Sequence, residues 1–168
     1  MPVPIRDLTA AVLTVSDSCA RGERVDQSGP AVSGLLKERG FDVVVTEVCP
    51  DEQAEIQKAI LRLAGNAALV VTTGGTGVAL RDVTPEATRA ACGRLIEGIP
   101  ERMRFEGGRK TPLAALSRGL CGVCGRALVL NLPGSPKGAI ESLESVIDLL
   151  PHVLELIAGN TRHESPIS

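Results

Sequence analysis

The chain has 168 residues, the usual size of one domain, and is long enough to bury roughly two-thirds of the surface its unfolded form exposes. Its 18 basic and 20 acidic residues leave a formal charge of -2 with no basic tract, which disfavours nucleic acid and anionic membrane as partners but admits a small anionic ligand. With no Trp or Tyr and only two Phe, packing rests on Leu, Val, Ile and Ala, and an odd count of five cysteines argues for a reducing compartment, the cytoplasm, over a disulfide framework.

The N-terminal stretch MPVPIRDLTAAVLTVSDS has no basic leader, and Asp7 and Asp17 interrupt its apolar run, so it reads as a strand and not a signal peptide. No segment approaches the length of a membrane span. LTAAVLTV, residues 8 to 15, suits a strand covered on both faces. From Pro30 to Arg39 the positions Val32, Leu35 and Leu36 recur at helical spacing, with Ser28 or Gly29 as opener and Gly40 as the stop. FDVVVTEV is a second strand. In PDEQAEIQKAILRLAG, Ile56, Ala59, Ile60 and Leu63 form an amphipathic helix that Asp51 is expected to cap, ending at Gly65.

AALVVTT is an uninterrupted apolar strand, as the centre of a parallel sheet demands. Thr84 as cap, Pro85 at the first helical position and Glu86 in the first turn open the next helix. Residues 94 to 126 read as short helical pieces, IPERMRF and TPLAALSRGL, interrupted by EGGRK. RALVLNLPG is a further buried strand, followed by a helix capped by Ser135 with Pro136 at its start, burying Ile140, Leu143, Ile147 and Leu150. A last helix spans about 151 to 158, and residues 159–168 read as a frayed tail.

Strands alternating with helices imply one α/β domain over residues 1–168, three layers (α/β/α) around a mostly parallel sheet. In such sheets ligands bind beyond the carboxyl ends of the strands, where SDSCARG, CPDEQ, TTGGTG and NLPGSP would emerge together. TTGGTG can form a nest of backbone N–H groups if Gly74, Gly75 and Gly77 take positive φ, with Thr73 and Thr76 adding hydroxyls. Neither common phosphate motif fits: no Gly-Lys-Ser/Thr follows, and Leu80 stands where a dinucleotide loop needs its third glycine. The same residues also suit a plain strand-to-helix connection.

Asp51 and Asp82 bear on that choice. Two carboxylates converging on a phosphate-binding backbone require a cation between them, and Mg²⁺ held by carboxylates and substrate phosphate is the usual solution. Each Asp also suits a structural cap. Arg81 and Arg118 are candidate phosphate partners or surface residues, and Lys137 sits where a helix start would favour an anion. Cys121 and Cys124 have C-x-x-C spacing, but no second ligand pair is visible, and they read as small apolar residues flanking a glycine-rich turn. His152 and His163 lie in a late helix and the tail, so no Ser-His-Asp or Cys-His signature appears.

Taken together, TVSDSCARGERVDQSGP, PDEQ, TTGGTG with RDVTPEAT, TPLAALSR and NLPGSP resemble, in order, the motifs of the molybdopterin adenylyltransferase family of molybdenum cofactor biosynthesis, the MogA type, across about residues 8 to 158. The resemblance implies transfer of AMP from Mg-ATP to the terminal phosphate of molybdopterin with release of pyrophosphate, in a protein that is usually a homotrimer and hands its product to a molybdenum-insertion enzyme. By motif, Asp51 and Asp82 match the family's essential acidic residues, here read as the ones that organise Mg²⁺, and Thr73, Gly74, Gly75, Thr76 and Gly77 match its substrate loop. Ser117 and Arg118 resemble pterin-side positions, and Ser16, Asp17, Pro133, Gly134 and Ser135 resemble nucleotide-side ones. The alternative the resemblance carries is a non-catalytic molybdopterin-binding carrier or scaffold of the MoaB type; the intact RDVTPEAT favours the enzyme.

Overall fold

A computed structural model of the chain describes residues 8–160. The expected ends, 1–7 and 161–168, lie outside the described residues, and with them Asp7, His163 and most of the tail.

Six strands form one sheet in the order β2-β1-β3-β6-β5-β4. β1 (Thr9–Val15), β2 (Asp42–Cys49), β3 (Leu69–Thr73) and β6 (Ala127–Leu132) run parallel, while β5 (Cys121–Cys124) and β4 (Arg94–Leu95) add an antiparallel flank. Strands covered on both faces carry no polar row, and β3 and β6 are buried at every position. The alternation along β1 fixes the layers. Ala10 and Val12 face α2 (Ser28–Glu38), α5 (Gly98–Gly108), α6 (Pro136–Val146) and α7 (Leu150–Ile157); Ala11, Leu13 and Val15 face α3 (Gln53–Ala64) and α4 (Thr84–Ala91). This is the expected α/β/α sandwich, with β2 as a half-open edge that leaves Val44 and Val48 exposed.

Several local expectations give way to tertiary structure. α3 is preceded by Glu52, whose side chain makes no cap bond, because the Asp51 carboxylate accepts from Asp17 instead. α4 is preceded by Val83, and the Thr84 hydroxyl donates to Gly74 O at 2.9 Å instead of capping the helix. Ser135 does cap α6, accepting from Gly138 N at 3.1 Å, although Ile140 is only half-buried. In the middle of the chain α5 continues through Glu106, Gly107 and Gly108, and only Pro112–Leu116, a 3-10 turn, follows it. CGVC is not a turn but strand β5, in register with β6 from Cys121 opposite Leu130 to Cys124 opposite Ala127.

Register then sets the site. Val15 lies opposite Cys49, Thr14 opposite Thr73, and Thr73 opposite Leu132. Four parallel strands therefore end level, and the loops beginning at Ser16, Pro50, Gly74 and Pro133 leave the same edge of the sheet, the position at which α/β sheets bind ligands.

Candidate active site

Gly74 and Gly75 carry φ of 92° and 68°, a left-handed turn that glycine adopts without strain. A Cβ on Gly74 would strike Val15 O, and one on Gly75 would strike the Thr84 hydroxyl. Gly77, expected to share the positive φ, does not; glycine is needed there because a Cβ would sit 2.8 Å from Asp82 Oδ2. Gly74 N donates to Leu132 O at 3.1 Å, and the loop closes on α4 through Thr84 N donating to Gly75 O. Among the described residues the N–H groups of Gly75, Thr76 and Gly77 find no protein acceptor, nor do those of Gly134 and Ser135 beside them. Gly134 packs so closely that a Cβ on it would lie 3.3 Å from Gly74 Cα. Five amide donors without acceptors, gathered at one sheet edge, form an anion cradle.

The two carboxylates reach this cradle from different loops. Asp82 folds back on its own turn, its Oδ2 accepting from Ala79 N at 3.0 Å while its own N–H donates to Ala79 O. Asp51 is held by a reciprocal pair: Asp17 N donates to Asp51 Oδ2 at 2.9 Å, and Asp51 N donates to Asp17 Oδ1 at 3.0 Å. Arg81 grips Asp17 with Nε and Nη2, at 2.6 and 3.1 Å, and Glu52 at 2.9 Å. One network thereby joins the loops after β1, β2 and β3. Arg81 holds the Asp17 carboxyl below the ordinary range, whereas burial, reinforced by the charges of Asp17 and Asp82, pushes Asp51 up. Excess negative charge from hard oxygen donors beside the cradle is the environment that suits Mg²⁺.

Two clefts meet here. The first, about 420 Å³, is lined by Ser16, Asp26, Ser28, Asp51, Thr73 and Gly74 among others; the second, about 510 Å³, by Thr76, Gly77, Leu113, Leu116, Ser117 and Pro133 among others. Gly75, Asp82, Gly134 and Ser135 border both. Thus Ser16, Thr73, Gly74, Gly75, Thr76, Gly77, Asp51, Asp82, Ser117, Pro133, Gly134 and Ser135 are all brought together around the junction. Ser16 also caps the short α1 (Asp17–Ala20), accepting from Cys19 N, and Thr73 shares a 2.9 Å hydrogen bond with Ser28.

Asp17 and Arg118 line neither cleft. Arg118 is a strut: its Nε and Nη2 donate to Gly77 O and Asp82 O, both at 2.7 Å, its Nη1 pairs with Glu86, and its backbone N donates to Thr76 O. These contacts turn the guanidinium toward the glycine loop and α4. Lys137 is exposed and outside both clefts.

Sequence reasoning missed three supports. Asp26 accepts from Thr14 Oγ1 at 2.7 Å and from Gly29 N at 3.0 Å, pinning the outer wall of the first cleft; the only trace in sequence is an acidic residue three before the helix glycine. Thr84 braces the glycine turn. Asn131, 1% exposed, donates to Thr72 and Thr88 and accepts from Leu120 N, tying β3, α4 and the entry to β5 beneath the site. The cysteines are all free, burial raises Cys121 and Cys49 to about 12, and among the described residues no cluster of three or more His, Cys, Asp or Glu is placed to hold a metal by itself. No described helix is long and apolar enough to cross a membrane.

Several known proteins are similar to this chain. A Helicobacter pylori molybdopterin adenylyltransferase is 40% identical over 89% of this chain and 87% of its own, and the Escherichia coli K12 molybdopterin adenylyltransferase is 40% identical over 90% and 86%. The solved molybdopterin biosynthesis enzyme MoaB of Thermus thermophilus superposes with a TM-score of 0.84 at 50% identity, over 90% of this chain and 97% of that one. Residues 11–152 match the family described as "Probable molybdopterin binding domain", and the chain belongs to that family.

Proposed function

We propose that this chain is a molybdopterin adenylyltransferase of molybdenum cofactor biosynthesis, transferring AMP from Mg-ATP to the terminal phosphate of molybdopterin and releasing pyrophosphate. The observation that carries the reading is the shared border of the two clefts: a cradle of free amides and two carboxylates from separate loops, with room for one substrate on each side. The printed names of the 40% identical relatives point to the same reaction.

The nucleotide occupies the cleft over β1, where hydroxyls of Ser16 and Ser28 face it, and its α-phosphate rests on the amides of Gly75, Gly134 and Ser135. The pterin lies in the second cleft, against the apolar wall of Leu113, Ala114 and Leu116, with its phosphate toward Thr76 and Gly77. One of that phosphate's oxygens attacks the α-phosphorus, and the bond to the β-phosphate breaks. Asp51 and Asp82 would hold Mg²⁺, which would supply charge neutralisation here when bound. The protein's own contribution is placement and fixed dipoles, which suffice for nucleotidyl transfer without a nucleophilic side chain.

A carrier that only binds molybdopterin needs the second cleft but neither the first nor a pair of aspartates facing a cradle, so the catalytic reading is preferred. Cytoplasmic location fits five free thiols, and a homotrimer and a molybdenum-insertion partner follow by analogy with the family. The test is incubation of purified protein with molybdopterin and Mg-ATP. Adenylylated molybdopterin and pyrophosphate are expected in equal amounts; tight pterin binding with no ATP turnover would establish the carrier instead.

A further inference from the structure

The charges around the first cleft are lopsided. Its acidic lining residues are Asp26, Asp51 and Asp82, and Arg24 is the only Lys or Arg that lines either cleft. The other arginines nearby are committed: Arg81 to Asp17 and Glu52, Arg118 to Glu86 and the glycine loop, and Arg21 to Glu23 through two 3.0 Å hydrogen bonds. Arg24 is exposed and its side chain has no ion-pair or hydrogen-bond partner among the described residues, while its neighbours in the loop are anchored. Glu23 N donates to Ser18 O before it, and the Asp26 carboxylate ties Thr14 and Gly29 after it. An uncommitted guanidinium therefore belongs to the lining of a cleft whose other charged side chains are acidic.

We propose that Arg24 binds the β- and γ-phosphates of the nucleotide and holds pyrophosphate as it leaves. The inference rests on the nucleotidyl-transfer reading. When the attacking phosphate oxygen bonds to the α-phosphorus, the electron pair of the broken P–O bond passes to the bridging oxygen of pyrophosphate. That growing charge lies on the side of the α-phosphorus away from the pterin, toward the first cleft, in whose lining Arg24 is the one cationic side chain. A planar guanidinium suits two phosphate oxygens at once and needs no deprotonation step.

The test compares Arg24→Gln, Arg24→Lys and Arg21→Gln with the unaltered protein, by steady-state kinetics in both substrates and by inhibition with magnesium pyrophosphate. Arg24→Gln is expected to raise the KM for ATP and the inhibition constant for pyrophosphate about 10-fold, the loss of one charge-assisted contact, with partial recovery in Arg24→Lys. The KM for molybdopterin and the affinity for AMP, which lacks the two outer phosphates, stay unchanged. Arg21→Gln removes the same charge from the same loop and has no effect on ATP. An equal rise in both glutamine variants, or unaltered ATP and pyrophosphate constants in Arg24→Gln, overturns the proposal. Absence of product from the unaltered protein would instead sink the reaction itself, a result visible before any variant is compared.

Discussion

The cleft over β1 and the cleft beside the 3-10 turn differ in almost every respect except their common border. The first is walled by loops that leave parallel strands, so its hydroxyls and carboxylates are fixed by register and cross-linked by Asp26, the Asp17–Asp51 pair and Arg81. Walls of the second come from α5, the 3-10 turn and α6, with Leu113 and Leu116 more than half exposed and few polar anchors. Rigid polar walls suit a ligand read by charge and hydrogen bonds; an apolar wall suits a flat heterocycle that gains by leaving water. Different recognition chemistry thus lies on each side of one glycine turn.

Substitutions at the border should injure both sides, and those on one wall only its own ligand. The largest effect is expected for Asp82→Asn, which borders both clefts: turnover falls about 10³-fold while circular dichroism and the KM values stay near those of the parent. Full activity in that variant would remove the carboxylate from the reaction. Next is Gly75→Ala. Its Cβ would strike Thr84 and its φ of 68° strains any L side chain, so about 1–3 kcal/mol of stability and most activity toward both substrates should be lost together, measured by urea unfolding and by turnover.

A smaller, one-sided effect is expected from Leu116→Ala, raising the KM for molybdopterin about 5-fold through lost apolar contact and leaving that for ATP unchanged; a matched rise in both would merge the two clefts. Smallest is a stability effect at Asp51. Its folded carboxyl titrates above its ordinary value because burial and like charges disfavour the ion. The ionised group therefore weakens the fold at neutral pH, and that penalty fades as pH falls through the raised value toward the unfolded one. Asp51→Asn should melt slightly higher than the parent at pH 7, with the gap closing near pH 4, followed by calorimetry across that range.

The centre of the parallel sheet was readable because β1, β3 and β6 are buried on both faces and so are mostly apolar and β-branched, and because Ser135-Pro136 marks a helix start by purely local chemistry. Convergence of the four loops followed from topology alone. The antiparallel flank was not readable: β4 is two residues long and β5 four, too short for periodicity, and Gly122 fits its strand because Cys92 packs where a Cβ would be. Asp51 and Asp82, singled out by type and loop position, do lie together in the lining of the first cleft. The contacts that Arg118 makes were not legible, since Gly77, Asp82 and Glu86 lie 32 to 41 residues away in sequence. Arg24 carried no local signal at all; only the pairing of every neighbouring arginine sets it apart.

The reciprocal amide-to-carboxylate pair between Asp17 and Asp51 also makes the site its own spectrometer. Each aspartate's backbone proton is held in a bond to the other's side chain, so exchange of those two protons with solvent reports separation of the loops after β1 and β2, with no substrate present. Arg81, 64 residues from Asp17 in sequence, is the clasp on that pair. Replacing it with glutamine should quicken exchange at Asp17 and Asp51 while leaving the amides of β3 slow, so that loosening of the Asp51 carboxylate is seen as a local breathing motion of the protein before any chemistry is assayed.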